Sequence, residues 1–333
     1  MTDPAPLRPT MVPVHLSLGR GTVELVDMAG EAFRAPFLAH TDIEHREHRP
    51  PSARGWAPLE EYLAVAEPTG VDPCGLIFST GRSGSTLLCN MLGEVEGLLV
   101  MKEAQPVGEV VHAIAQNEHG APGEPHADAD AGELRELLRR VTRTLFRPTR
   151  GQQRLVVKES WLGSANCGLL ADAFPATPIV FVTREVTDVV ASFLGLPPPW
   201  VGELLQRPRR ELAMLLPTLR GEGPAFVDVL TLYTHFWLSA QEAAAGLDPA
   251  RVAVVTHEEL RADPGATLAR VLDHLSLAAA PGDFDRAVER SRFYAKPEPG
   301  EQPVPIEEAG DRQADLTEAM RREILALTGN AVR

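Results

Sequence analysis

The stretch Ser79-Thr80-Gly81-Arg82-Ser83-Gly84-Ser85-Thr86 restricts the fold more than any other part of the chain. It follows a short apolar run, Gly75-Leu76-Ile77-Phe78-Ser79, and leads into an apolar helical pattern from Thr86 to Leu92. A buried strand that turns through small residues directly into a helix aims backbone N–H groups and the positive end of the helix dipole at one point. The hydroxyls of Ser83, Ser85 and Thr86 and the guanidinium of Arg82 complete a cradle for an oxyanion, with Gly84 allowing close approach. The competing reading is a tight strand-to-helix turn that is merely rich in Gly and Ser.

Three further apolar runs resemble the first: Leu155-Val156-Val157, Ile179-Val180-Phe181-Val182 and Val252-Ala253-Val254-Val255. Helical patterns separate them. Leu134, Leu137, Leu138, Val141 and Leu145 share one helical face. Asp263-Pro264 opens another helix, lined by Leu268, Val271, Leu272 and Leu275. Strands alternating with helices predict an α/β fold, a parallel sheet flanked by helices on both faces.

Residues 1–70 are rich in proline and turn residues and read as a small N-terminal β-containing appendage; residues 71–333 read as the main domain. Within the appendage, two alternating runs split by Gly19-Arg20-Gly21 predict a β-hairpin over Val12 to Val26, and Pro58 to Leu63 starts a short helix that stops near Pro68. Asn117 to Gly132 reads as a loop, with His119 and His126 as solvated side chains rather than metal ligands. Gly195 to Gly223, with Pro197-Pro198-Pro199-Trp200 and Arg207, Arg209 and Arg210, reads equally as a lid over a cleft or as a surface insertion. Asp315 to Leu327 reads as a helix closed by Gly329-Asn330.

Charge narrows the function classes. Lys+Arg total 32 against Asp+Glu 46, a formal net charge of -14. That disfavours a nucleic-acid partner, whose grip comes from clustered Lys and Arg, but not an anionic small molecule held by a few local donors. Cys74, Cys89 and Cys167 form no CxxC or Cys/His array, so no disulfide framework or zinc site is expected. No apolar run approaches the roughly 20 residues of a spanning helix, so no membrane partner is expected. Met1-Thr2-Asp3-Pro4 opens no leader pattern, and a cytoplasmic location is the expectation. The loop lacks the Lys of GxxxxGK[ST], and the third strand runs through Thr183 into Arg184 rather than ending in a clear acidic metal ligand. A magnesium-dependent NTPase or kinase is therefore disfavoured. The absence of GxGxxG weakens a dinucleotide reading.

Gly81-Arg82-Ser83-Gly84-Ser85-Thr86-Leu87-Leu88 resembles the 5′-phosphosulfate loop of the PAPS-dependent sulfotransferases, PAPS being 3′-phosphoadenosine 5′-phosphosulfate. Val182-Thr183-Arg184 through Ala191-Ser192 resembles the family's second signature, an Arg at a strand end and a Ser eight positions later. Val255-Thr256-His257-Glu258-Glu259-Leu260-Arg261-Ala262-Asp263-Pro264 resembles its Tyr-Glu-Asp-Leu…Asp-Pro segment. The resemblance spans Gly75 to Leu277, with a weaker tail to Pro297.

The resemblance implies a three-layer P-loop sulfotransferase fold, PAPS as co-substrate, PAP as product, and no metal. It implies that Arg82, Ser83, Gly84, Ser85 and Thr86 hold the phosphosulfate and that Arg184 and Ser192 hold the 3′-phosphate; a surface ion pair with Glu185 or Asp188 is the alternative for Arg184. By the same resemblance Arg82 and the strand-end Lys158 are catalytic donors. The His that cytosolic members carry two positions after that Lys is replaced by Ser160. Glu103, in Met101-Lys102-Glu103-Ala104-Gln105-Pro106, is then the implied general base, as in tyrosylprotein and several bacterial members. Glu289 to Pro297 resembles the segment that closes over the nucleotide, which brings in Ser291 and Lys296. His257 stands where the family has an adenine-side Tyr. His112 and His235 read as core histidines. The implied activity is sulfuryl transfer to a hydroxyl, or in second place an amine, of a small organic acceptor. The rival readings are a metal-dependent phosphotransferase with a degenerate loop and a non-catalytic nucleotide-binding protein.

Overall fold

The computed structural model describes residues 8–31, 33–48, 53–119, 130–147, 151–293, 295–296, 304–306 and 313–329. Three strands, β1 (Met11–Ser17), β2 (Thr22–Asp27) and β3 (Arg54–Pro58), form an antiparallel sheet in that order. Five more, β4 (Gly75–Ser79), β5 (Leu98–Lys102), β6 (Arg154–Lys158), β7 (Ile179–Thr183) and β8 (Val252–Thr256), form a parallel sheet in the order β5-β6-β4-β7-β8.

The parallel strands are apolar between their ends because most of both faces of the sheet is covered, with Ser79, Lys102, Arg154, Lys158, Thr183 and Thr256 at strand ends. Ile77, Val100, Val156, Val180 and Val182 pack on one side with Leu88, Met91 and Leu92 of the Ser85–Leu92 helix and with Leu268, Val271 and Leu272 of the Pro264–His274 helix. Leu76, Phe78, Leu99, Met101, Leu155, Val157 and Phe181 pack on the other, with Val107 and Val110 of the Gln105–His119 helix and Leu138 of the Ala131–Thr144 helix. Val12, Leu16 and Leu25 of the antiparallel sheet join this second cluster.

Strand order decides where a ligand can sit. The chain leaves β4 for the far edge at β5, returns through β6 beside β4, then crosses to β7 on β4's other side. Connections diverging from a central strand leave a crevice beyond its carboxyl end. The Gly/Ser turn emerges from β4 into that crevice, and the ends of β6 and β7 flank it.

Several elements differ from the expectations. β5 makes the parallel sheet five-stranded rather than four-stranded; Leu-Leu-Val-Met is too short for its period to separate strand from helix. The Leu38–His48 helix and β3 carry little apolar periodicity and were not anticipated. The Gln105–His119 helix runs through Asn117, where a loop was expected; residues 120–129, with His126, lie outside the described residues. Between Gly195 and Gly223 the chain forms the helices Val201–Leu205 and Arg209–Leu215, and Leu204, Leu212, Leu215, Leu216 and Leu219 are buried. Buried leucines make this segment a packed wall. The last helix spans Glu318–Gly329, starting later than expected; Asn330 lies outside the described residues. Among the described residues no helix is long and apolar enough to cross a membrane.

Candidate active site

The turn after β4 is tied to β7. Thr80 N–H donates to Val182 O at 3.2 Å, and the buried Ser83 Oγ donates to the same carbonyl at 2.9 Å. Ser79 N–H donates to Ser164 Oγ at 3.0 Å, and Ser85 Oγ to Ser79 Oγ at 3.1 Å. Gly81 and Gly84 adopt φ of 75° and 91°. At Gly84 a Cβ would also meet Leu260 Cδ2 at 3.1 Å and His257 Nδ1 at 3.2 Å. The first helical bond is Leu88 N–H to Gly84 O, at 3.0 Å. The N–H groups of Ser85, Thr86 and Leu87 therefore have no acceptor within their own helix and point out of its N-terminal end.

Arg184, directly after β7, reaches back to this turn. Its Nη1 donates to Arg82 O at 3.4 Å, and its Nη2 lies 3.4 Å from Asp188 Oδ2. The ion pair expected as an alternative is thus present, yet the same guanidinium also touches the Gly/Ser turn. Two side chains of the Val229–Ala245 helix fix the approach: Trp237 Nε1 donates to Arg184 O and Gln241 Nε2 to Thr183 Oγ1, both at 2.8 Å. Ser192 is half-buried one turn beyond Asp188, on the same face of the Val186–Gly195 helix. His257 opens the short helix after β8. Burial first, then the Arg184 charge, pushes its imidazole below the usual histidine range.

Three buried polar atoms around the turn lack a hydrogen-bond partner among the described residues: Thr80 Oγ1, Arg184 Nε and His257 Nδ1. Orphaned polar atoms are costly in a folded interior, and these three gather at one crevice.

A second cluster lies at the ends of β5 and β6. Glu103 sits in the left-handed region, φ 52°, and its N–H donates to Lys158 O at 2.7 Å. That kink turns its carboxylate onto Lys158 Nζ in an ion pair. Lys158 Nζ lies 5.7 Å from the centre of the Phe37 ring and Lys296 Nζ 5.1 Å from it. Burial, then the charges of Arg82 and Lys158, pushes the Lys296 ammonium down to about 7. Arg82 itself lies 5.1 Å from the Phe193 ring, and its Nη2 donates to Leu196 O. Arg82, Lys158, Lys296 and Glu103 therefore share one electrostatic neighbourhood. Ser291 stands apart: it lines a cleft of about 630 Å³ with Leu87, Leu260 and Phe293, and its hydroxyl donates to Val288 O at 2.6 Å.

Three residues here escaped the sequence. Phe37 comes from the N-terminal region, which no motif tied to the crevice. Glu159 is buried between Lys158 and Ser160; burial, then the Glu103 charge, pushes its carboxyl up to about 7. Lys102 is buried at the end of β5, its Nζ donating to Asn90 Oδ1 at 3.0 Å, with burial pushing it down to about 8. One signal could have found Lys102: the chain has three lysines against 29 arginines, and Lys102, Lys158 and Lys296 are all of them. His235 is buried, as expected, with Nδ1 2.8 Å from Thr218 Oγ1 and burial holding it down at about 4.

Residues 76–281 match a family model described as "Sulfotransferase family". The chain belongs to the sulfotransferase family. Its matched segment runs from β4 to the start of the Pro281–Arg290 helix and carries the phosphate turn, Glu103, Lys158, Arg184 and His257. No curated protein matches the chain. Among solved structures, sulfotransferase STF9 from Mycobacterium avium is similar at a TM-score of 0.46 and 11% identity, covering 87% of this chain and 81% of that one. A sulfotransferase from Alicyclobacillus acidocaldarius gives 0.43 and 14%, covering 79% and 93%. Mouse sulfotransferase SULT7A1 complexed with PAP gives 0.40 and 14%, covering 82% and 90%.

Proposed function

We propose that this member of the family takes its sulfuryl group from PAPS and passes it to a hydroxyl of a small organic acceptor, with Glu103 as general base. The observation that carries the reading is Arg184 bonded to the backbone of the phosphate turn at Arg82. Two anion-binding devices joined at one crevice suit a nucleotide with phosphate at both ends. The orphaned Thr80 Oγ1, Arg184 Nε and His257 Nδ1 supply unused polar capacity for such a ligand. Arg82, Ser83, Gly84, Ser85 and Thr86 would hold the phosphosulfate, Arg184 and Ser192 the 3′-phosphate, and His257 and Lys296 the remaining contacts.

Bound PAPS supplies an activated sulfuryl group on a phosphate that leaves as the 5′-phosphate of PAP. The chain supplies the rest. Glu103, paired with Lys158, receives the acceptor's hydroxyl proton on a carboxylate oxygen. Lys158 and Arg82 place positive charge where negative charge grows on the transferring and leaving oxygens. Phe37 lends an apolar wall that keeps water from the ammonium groups.

A thermal-shift comparison of PAP, AMP, ADP and ATP, each with and without magnesium, tests the reading. Stabilisation by PAP above the other nucleotides and indifferent to magnesium is expected. Preference for ATP with magnesium would replace it with phosphotransfer.

A further inference from the structure

We propose that Lys102 and Asn90 are positioning residues that hold Ala295, and through it Lys296, against the anion-binding centre; the inference rests on reading that centre as a nucleotide site. Lys102 Nζ donates to Asn90 Oδ1 at 3.0 Å, and Asn90 Nδ2 donates to Ala295 O at 2.9 Å. An ammonium has no acceptor lone pair, so Lys102 fixes the amide with its oxygen inward and its NH₂ toward Ala295. Lys102 and Asn90 are 3% and 5% exposed, so the bond between them is shielded from water, while the bond to Ala295 is part-buried. The next residue in the chain, Lys296, lies over Phe37 within reach of the charges of Arg82 and Lys158.

The arrangement opposes a repulsion. Lys296, Arg82 and Lys158 are like charges, and the Glu103 carboxyl paired with Lys158 offsets only part of the push on Lys296. A backbone tether at Ala295 offsets that force and keeps the site assembled before ligand arrives. The Lys102 ammonium stands near the buried Cys89 and feels the charges of Arg290, Lys158 and Glu94. A methionine would fill the same space without the cost of burying an ammonium. Elsewhere the chain uses arginine, and its three lysines all meet here. A buried polar pair of this kind is best attested as a device that fixes register.

The test uses Asn90→Asp, which keeps the acceptor for Lys102 but loses the donor to Ala295. PAP is titrated calorimetrically into the wild type, Asn90→Asp, Lys296→Ala and the double variant, with melting temperatures confirming that each is folded. Each single change is expected to weaken PAP about tenfold. The double variant is expected to be no weaker than Lys296→Ala, because the tether acts through Lys296. Without ligand, limiting acetylation by an N-hydroxysuccinimide ester, read by mass spectrometry, is expected to speed up about fivefold at Lys296 relative to Lys158 in Asn90→Asp. Additive losses of affinity, or unchanged acetylation of Lys296, overturn the tether. Wild-type PAP affinity in Lys296→Ala overturns the nucleotide role of Lys296 instead, and the acetylation result alone then decides the tether.

Discussion

Lys102 and Lys158 are register partners on neighbouring parallel strands, and their ammonium groups are drawn to different acceptors, Asn90 for one and Glu103 for the other. Adjacent like charges on a sheet are destabilising, and this division gives each ammonium its own oxygen partner at the strand ends. It leaves the Glu103 carboxyl paired with Lys158 beside the crevice.

Glu103→Gln should therefore separate binding from chemistry. The amide keeps the shape and a hydrogen-bond acceptor for Lys158 but takes up no proton. PAP affinity is expected within about threefold of wild type, while PAP formation from PAPS across a panel of hydroxylated acceptors falls about 10²- to 10⁴-fold. Equal losses in both would assign Glu103 to ligand binding.

Arg184→Ala should do the reverse. It removes the guanidinium that touches the phosphate turn and leaves Asp188 unpaired nearby. A loss of about 2 kcal/mol in PAP binding is expected, with Arg184→Lys recovering only part of it because an ammonium lacks the planar fork. Titration calorimetry reads both, and AMP, without the 3′-phosphate, should barely distinguish the variants.

The Lys296 ammonium, lowered to about 7, gives binding a pH signature. Below that value it is charged and attracts the anion; above it, it is neutral. A bound anion raises it again, so binding takes up a proton. The phosphates of PAP are almost fully ionised above about pH 7 and add little. PAP affinity is expected to fall from pH 7 to 9, with proton uptake visible as a buffer-dependent heat. Lys296→Arg should flatten the dependence.

Glu159 makes a stability prediction of opposite sense. Its folded carboxyl titrates at about 7, above its ordinary 4.5, so folding favours the protonated form. That contribution is full below pH 4.5 and is lost as pH rises through 7. Urea midpoints at pH 5 and pH 8 should show Glu159→Gln gaining on the wild type at the higher pH. A constant offset between the two proteins would show that Glu159 stays ionised throughout.

Much of the site was legible because it is local. Ser79 to Thr86, Arg184 to Ser192 and the strand-end Lys158 each lie at a strand-to-helix junction, where pattern and motif coincide. Residues that depend on distant contacts left no such trace. Phe37 precedes β4 by nearly forty positions, and Asn90 gains its meaning only when Ala295 folds back upon it. β5 was hidden because its four apolar residues close on Lys102, and Glu159 because a buried acid looks like a surface acid in sequence. The segment between Gly195 and Gly223 stayed open between a lid and a surface insertion when read from its prolines and arginines, whereas its leucines decide its packing.

Phe37 belongs to the antiparallel half of the molecule, and the groups it touches belong to the parallel half. Exchange of the first seventy residues would replace the ring beside the Lys158 and Lys296 ammonium groups and leave Glu103, Lys158 and Arg184 where they stand.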